Sequence, residues 1–244
     1  MIEDNKISLI IPTLNEAQGI AQTLELAPAC IDEIIIVDGN SNDGTRDIAA
    51  NWGKQRGREV VVVLEKRRGY GRAFKTGFER ATGSIIVTGD GDGTYPIELT
   101  ETITKYLFLQ SLEFISCNRL PLEDKSSMHN RNFIGNTLMS MAASTLWLHR
   151  FKDVLSGMWI FKKSILSKLK LRSDSWNFSE EIKIEARSRL GNRFSEYKIP
   201  YRERLGNTKL VPWKVGLQNI GYMIAMRTGT VGLLQMTFKR PKKV

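Results

Sequence analysis

Short apolar, β-branched runs recur along the first hundred residues and alternate with stretches whose apolar residues follow a helical period. The runs Ile7 to Ile11, Ile34 to Val37, Val60 to Leu64 and Ile85 to Thr88 are apolar on both faces, which predicts strands covered on both sides of a sheet. Between them, Ala17 to Leu26, Thr45 to Trp52 and Gly71 to Ala81 read as helices, the last with Ala73, Phe74, Gly77, Phe78 and Ala81 at helical spacing. That alternation predicts βαβ units in a mainly parallel sheet, with right-handed crossovers setting the helices on its faces.

Beyond residue 100 the alternation loosens. The pattern predicts helices over Ile97 to Leu109, Asn130 to Leu148 and Glu180 to Leu190, and strands near Phe114 to Ser116, over Gly157 to Phe161 and over Glu196 to Tyr201. No repeat, low-complexity tract or linker separates this half from the first, so the two are expected to pack as one unit. The stretch from Pro212 to Met236 is helical, apolar and interrupted by charge, and Lys239, Arg240, Lys242 and Lys243 follow it. Two readings stay open: a helix lying in a membrane interface with a cationic tail, or an amphipathic helix packed on the protein.

Composition narrows the class. Among 244 residues, 41% are hydrophobic and 25% charged, which excludes a disordered or collagen-like chain. Thirty-six Lys and Arg against 26 Asp and Glu leave a net charge of +10, an attraction toward a nucleotide, a nucleic acid or an acidic membrane. Cys30 and Cys117 lie far apart without a CxxC or a nearby His, so two thiols in a reducing compartment are expected and a zinc site is not. The first apolar run stops at Pro12, so no secretory leader is expected. The twelve uncharged residues from Val215 to Met226 fall short of the roughly 20 that a spanning helix needs.

The chemistry gathers where the strands end. Pro12-Thr13-Leu14-Asn15-Glu16 follows the first strand, Asp38-Gly39-Asn40-Ser41-Asn42-Asp43-Gly44-Thr45 the second, and Asp90-Gly91-Asp92-Gly93-Thr94 the fourth. Open α/β sheets bind ligands at that edge, so three polar loops are expected to meet at one rim. Any one of them also reads as a turn with a helix cap, above all at Asn15 and Asp43. Asp90 and Asp92 stand two apart in extended chain, so both carboxylates can converge on one hard cation. Such an ion would neutralise a diphosphate, and Asp38 is placed to accept hydrogen bonds from a ribose or base. The run Gly69-Tyr70-Gly71-Arg72-Ala73 lacks a third glycine and follows the third strand, so it reads as a tight turn beside the phosphates rather than a dinucleotide fingerprint.

On these motifs, together with Asp153-Val154-Leu155-Ser156-Gly157 and Arg204-Leu205-Gly206-Asn207-Thr208-Lys209-Leu210, the chain resembles the family 2 glycosyltransferases of the GT-A fold, and among them the dolichyl-phosphate mannose and glucose synthases. The resemblance implies an α/β/α sandwich over residues 1–210, with a nucleotide-sugar half (1–100) and an acceptor half (101–210), followed by an amphipathic helix and basic tail (211–244). It implies donor contacts from Pro12, Thr13, Asn15, Glu16, Asp38, Asn40, Ser41, Gly71, Asp90 and Gly91. Asp90 and Asp92 would hold Mg2+ or Mn2+, and the basic motif containing Arg204 and Lys209 would grip the acceptor lipid's phosphate. Gly39 stands where the family usually has a second Asp, and Thr94 where some relatives place a Gln on the metal.

The function this implies is inverting transfer of a hexose from GDP-mannose or UDP-glucose to a dolichyl or polyprenyl phosphate, on the cytoplasmic face of a membrane and without a spanning segment. Asp92, Asp153, Arg204 and Lys209 are its expected catalytic residues, and Arg119, Arg131 and Arg202 are further cations for the acceptor phosphate. An alternative keeps the fold but uses a hydroxyl acceptor, with Asp153 as general base. Another class, a basic nucleic-acid-binding protein, lacks interleaved aromatics and any matching motif, so no nucleic-acid partner is expected. Glu180 and Glu181 read as helix-capping carboxylates, and Trp147, Trp159, Trp176 and Trp213 as core or interface aromatics.

Overall fold

The computed structural model describes residues 2–206 and 212–232, with the backbone alone for 212–214. Lys209 and the basic tail lie outside the described residues. Seven strands form one sheet in the order β3-β2-β1-β4-β6-β5-β7. They are β1 (Ile7–Thr13), β2 (Glu33–Asp38), β3 (Val60–Leu64), β4 (Ile85–Thr88), β5 (Phe114–Asn118), β6 (Trp159–Lys162) and β7 (Phe194–Lys198). Only β6 runs antiparallel, against both β4 and β5. The fold is therefore the expected α/β class with a mainly parallel sheet.

The strands read as continuous apolar runs because both faces are covered. Ile7, Leu9 and Ile11 of β1 join Ile34, Ile36, Ile85 and Val87 in one core, while Ile10 joins Ile35, Val37 and Ile86 in the other. The chain leaves β1 toward β2 and β3, then returns to β4 on the other side of β1. That reversal opens a crevice between the loops following β1 and β4, at the carboxyl ends of the strands.

Several boundaries differ from the sequence pattern, each for a local reason. Strand β3 is half-buried rather than covered, because it pairs only with β2 at the sheet edge. The first helix, α1 (Ile20–Glu25), starts three residues late: Asn15 turns with φ +53°, and the backbone of Glu16 and Ala17 bonds to the second loop. Gly157 stays out of β6 because its N–H donates to the Tyr95 hydroxyl at 2.6 Å. The last strand occupies Phe194–Lys198 rather than 196–201, in register with β5 through Phe114 and Phe194. The other helices are α2 (Thr45–Arg56), α3 (Tyr70–Arg80), α4 (Thr100–Leu109), α5 (Asn130–Trp147), α6 (Phe178–Leu190) and α7 (Pro212–Thr228).

Of the two readings of the last helix, the packed one describes its inner face. Met223 of α7 enters the core beside Met139 and Ala143 of α5, and the Tyr222 hydroxyl donates to Glu181 at 2.5 Å. Gly229, at φ +76°, follows the end of this helix. Among the described residues no helix is long and apolar enough to cross a membrane.

Candidate active site

The three polar loops do meet at one rim, and hydrogen bonds lock the first two together. The backbone N–H groups of Asn15, Glu16 and Ala17 donate to Ser41 Oγ (2.8 Å), Thr45 Oγ1 (2.9 Å) and Asp43 Oδ2 (2.9 Å), and Asn42 N–H donates back to Asn15 Oδ1 (2.9 Å). Asp38, fully buried, accepts from Thr13 Oγ1 at 3.2 Å and from the Ser41 N–H at 2.9 Å, and Arg46 lies 3.6 Å away. Its carboxylate therefore holds the second loop in shape, with Gly39 and Asn40 next along it and Asn40 exposed at φ +70°. Pro12 and Thr13 end β1 in register with Val37 and Asp38.

The third loop closes on the other two. A side chain at Gly19 would come within 2.7 Å of the Asp92 Cα and the Gly91 carbonyl, and one at Gly91 within 3.1 Å of Thr13, so the glycines there permit backbone contact. Asp92 is 2% exposed; its Oδ1 accepts from the Thr94 N–H (3.1 Å) and hydroxyl (2.7 Å), and its Oδ2 from Arg204 Nη1 at 2.6 Å. Arg204 Nη2 donates to Glu16 Oε1 at 2.7 Å, so one guanidinium ties the first loop to the third. Asp90 accepts from the Tyr70 hydroxyl at 3.0 Å. Burial and the adjacent Asp92 raise its pKa to about 7, against the pull of Tyr70 and Arg204.

The carboxylate oxygens of Asp90 and Asp92 are donors of the kind a hard divalent ion takes, and the Arg204 guanidinium on Asp92 competes with such an ion. Among the described residues no group of three or more His, Cys, Asp or Glu could hold a metal. Two protein carboxylates are what magnesium commonly uses, the other positions going to water and substrate phosphate.

The remaining predicted residues sit elsewhere. Arg119 was expected to grip phosphate, but it is buried and bidentate on Asp153, with Nε to Oδ2 at 2.7 Å and Nη2 to Oδ1 at 2.9 Å, and it stacks over Tyr201. Both oxygens of Asp153 are thereby engaged. Burial raises the Asp153 pKa, but Arg119 overrides it and holds the carboxyl below its usual range. Arg131 stands exposed on the first turn of α5, and Arg202 pairs with Glu98 near Thr94. Gly71 lies in α3, where a side chain would strike Phe178 and the Ser173 carbonyl at 2.7 Å. Its glycine serves helix packing rather than a phosphate turn.

Four residues to which the sequence assigned no part in the site matter here. Tyr70, inside the Gly69-to-Ala73 run, holds Asp90 and stacks on Trp176 at 4.9 Å; Trp176 is 37% exposed rather than core. Glu181 does not cap its own helix: it accepts from Tyr222 and from the N–H groups of Arg172 and Ser173. Lys183 lies beneath Asp153 and donates to the carbonyls of Asp153 (3.1 Å) and Val154 (2.7 Å), its pKa lowered by burial to about 7. Tyr70 stood out by its place within a glycine-flanked run, Trp176 and Glu181 drew readings as an aromatic of the core or an interface and as a cap, and Lys183 gave no local signal.

Comparisons with known proteins give the family and the fold. The family model described as glycosyl transferase family 2 matches residues 8–170. In Haloferax volcanii, the low-salt glycan biosynthesis hexosyltransferase Agl6 is 28% identical over 192 residues, covering 75% of this chain and 45% of that protein. The glycosyltransferase AglJ of the same organism is 27% identical over 187 residues, covering 75% and 59%. The chain thus spans about half the length of these curated relatives. Glucosyl-3-phosphoglycerate synthase of Mycobacterium tuberculosis, solved with Mn2+, UDP and glucosyl-3-phosphoglycerate, superposes with a TM-score of 0.70 at 19% identity, over 93% of this chain and 81% of that one. A second structure of that synthase, holding Mg2+ and UDP, gives 0.69 at 19% identity, over 93% and 80%. The fold is shared, and on the family match this chain belongs to the family 2 glycosyltransferases.

Proposed function

We propose that the protein transfers a hexose, with inversion, from a nucleoside diphosphate sugar to a polyprenyl or dolichyl phosphate, as a peripheral protein on the cytoplasmic face of a membrane. The observation that carries the donor half is the convergence of Glu16, Asp90, Asp92 and Arg204 where three loops meet at the rim. Asp90 and Asp92 would hold Mg2+ or Mn2+, which supplies charge neutralisation for the departing diphosphate. The Mycobacterium structures, which hold those ions with UDP on the same fold, support this reading.

The acceptor half rests on charge. Asp153, the candidate base for a hydroxyl acceptor, has both oxygens bound by Arg119. A phosphomonoester is anionic at neutral pH and attacks an anomeric carbon without a base, so it suits a rim where that carboxylate is engaged. Arg204 and Lys209 orient the acceptor phosphate behind the anomeric carbon. The glucosyl-3-phosphoglycerate held by the Mycobacterium enzyme is likewise a phosphate-bearing molecule.

The test incubates the protein with labelled GDP-mannose or UDP-glucose, Mg2+ and a short polyprenyl phosphate, then counts label extracted into organic solvent. Metal-dependent extraction that Asp92→Ala abolishes is expected. Label that moves only onto a soluble saccharide would overturn the acceptor.

A further inference from the structure

Helices α5 and α7 lie side by side, their inner faces in one core through Met139, Ala143 and Met223. Their outer faces are the reverse of an ordinary surface. Along α5 the exposed positions after Asn130 are Arg131, Ile134, Leu138, Met141 and Thr145, a repeat of three and four residues that marks one stripe, and the exposed Leu148 caps the helix in the left-handed region. Along α7 Leu217 and Ile224 lie seven residues apart on one stripe. Ile134, Leu138, Met141, Leu148, Leu217 and Ile224 are between 49% and 89% exposed, where a solvated helix carries charge. Exposed apolar side chains gathered on two neighbouring helices mark an interaction site.

The charge distribution names the partner. Residues 125–152 and 204–244, the stretches containing these helices, hold twelve of the chain's 36 Lys and Arg and none of its 26 Asp and Glu. The rest of the chain carries 24 cations against 26 anions, so the two stretches carry +12 and the remainder −2 of the net charge of +10. An apolar stripe on helices whose stretches of sequence carry cations and no carboxylates fits a surface that is apolar inside and anionic outside.

We infer that the outer faces of α5 and α7 together form a docking surface for an anionic lipid bilayer. The surface is joined to the donor rim through rigid contacts. Tyr222 of α7 bonds Glu181, Glu181 accepts from the N–H groups of Arg172 and Ser173, and the next residues, Asp174 and Ser175, accept from Arg72 and Gly71 at the start of α3. Tyr70 there holds Asp90. Docking thus fixes the height of the rim above the headgroups. This inference rests on the lipid-phosphate reading for its purpose, but not for its test.

Flotation of the full chain with phosphatidylcholine vesicles, with and without phosphatidylglycerol, tests it. The wild type is expected to float with the anionic vesicles alone and to be released by salt. Leu138→Glu with Met141→Glu lowers that partition by about tenfold or more, because it drives two charges into the interface. Leu109→Glu, an equally apolar and exposed site on α4, leaves it unchanged. Matching thermal melts confirm that all three chains fold. The inference fails if the wild type ignores anionic vesicles, if Leu109→Glu loses as much partition, or if sedimentation shows that the α5 variant instead splits a dimer. Transfer to a short, soluble prenyl phosphate separates the two proposals. Transfer without vesicle capture sinks the docking surface alone, whereas capture without transfer sinks only the acceptor.

Discussion

Arg204 Nη1 donates to Asp92 Oδ2 at 2.6 Å, so the carboxylate expected to hold a metal already holds a cation supplied by the chain 112 residues later. A divalent ion reaching Asp92 must compete with that guanidinium, and the segment carrying Arg204 leads toward α7. Arg204→Ala is therefore expected to raise the affinity for Mn2+ alone by several-fold while weakening binding of the acceptor phosphate in the presence of Mn2+ and UDP, since it removes a hydrogen-bond donor to that phosphate. Calorimetric titration of each ligand measures both, and parallel losses of the two affinities would show that Arg204 merely shapes the site.

The Tyr70 hydroxyl keeps Asp90 from rising further. With a pKa near 7 in the folded chain, Asp90 is partly protonated at neutral pH, so Mn2+ affinity should strengthen as pH rises from 6 to 8. Tyr70→Phe removes one hydrogen bond that favours the carboxylate, which shifts the whole Mn2+ binding curve to higher pH. An unshifted curve would mean that Tyr70 serves packing against Phe74 and Trp176 alone.

The pair of Arg119 and Asp153 is buried, bidentate and remote from exchange with solvent. Removing either partner strands a buried charge, at a cost of about 3–5 kcal/mol. Asp153→Ala should therefore lower the urea midpoint strongly, whereas Asp153→Leu combined with Arg119→Met recovers much of the loss. A stable Asp153→Ala chain that had lost only turnover would instead restore the carboxylate as a catalytic base.

Glu180 is fully buried with no hydrogen bond to either oxygen, and burial raises its pKa to about 8. A raised folded-state value stabilises fully below the unfolded pKa, about 4.3, and that contribution is lost as pH climbs through 8. Lys183, lowered to about 7, acts above pH 7 with the opposite sign, while Asp90, raised to about 7, acts with the same sign between pH 5 and 7, so the difference between the wild type and Glu180→Gln in that window isolates Glu180. Across that window the wild type should lose stability to urea by about 1–3 kcal/mol more than Glu180→Gln does. Equal slopes in the two chains would place an unmodified carboxyl there.

What the linear chain announced was periodic or punctuated: four strands, three of them covered on both faces, the crossover helices, and three polar loops whose place at strand ends follows from the order of the elements. Asp90 and Asp92 were legible because two residues of extended chain bring carboxylates to one side. Long-range partners carry no such local signal. Nothing near Asp153 foretells that Arg119 takes both its oxygens, nor does the neighbourhood of Asp92 foretell Arg204, because each pair is made by strands and loops that meet only when the sheet forms. The edge position of β3 was hidden for the same reason: Val60 to Leu64 is equally apolar whether one neighbour strand or two lie beside it. The apolar outer stripe of α5 needed the structure too, since a helix whose apolar residues favour no one side shows which side is buried only once its inner side has met the core.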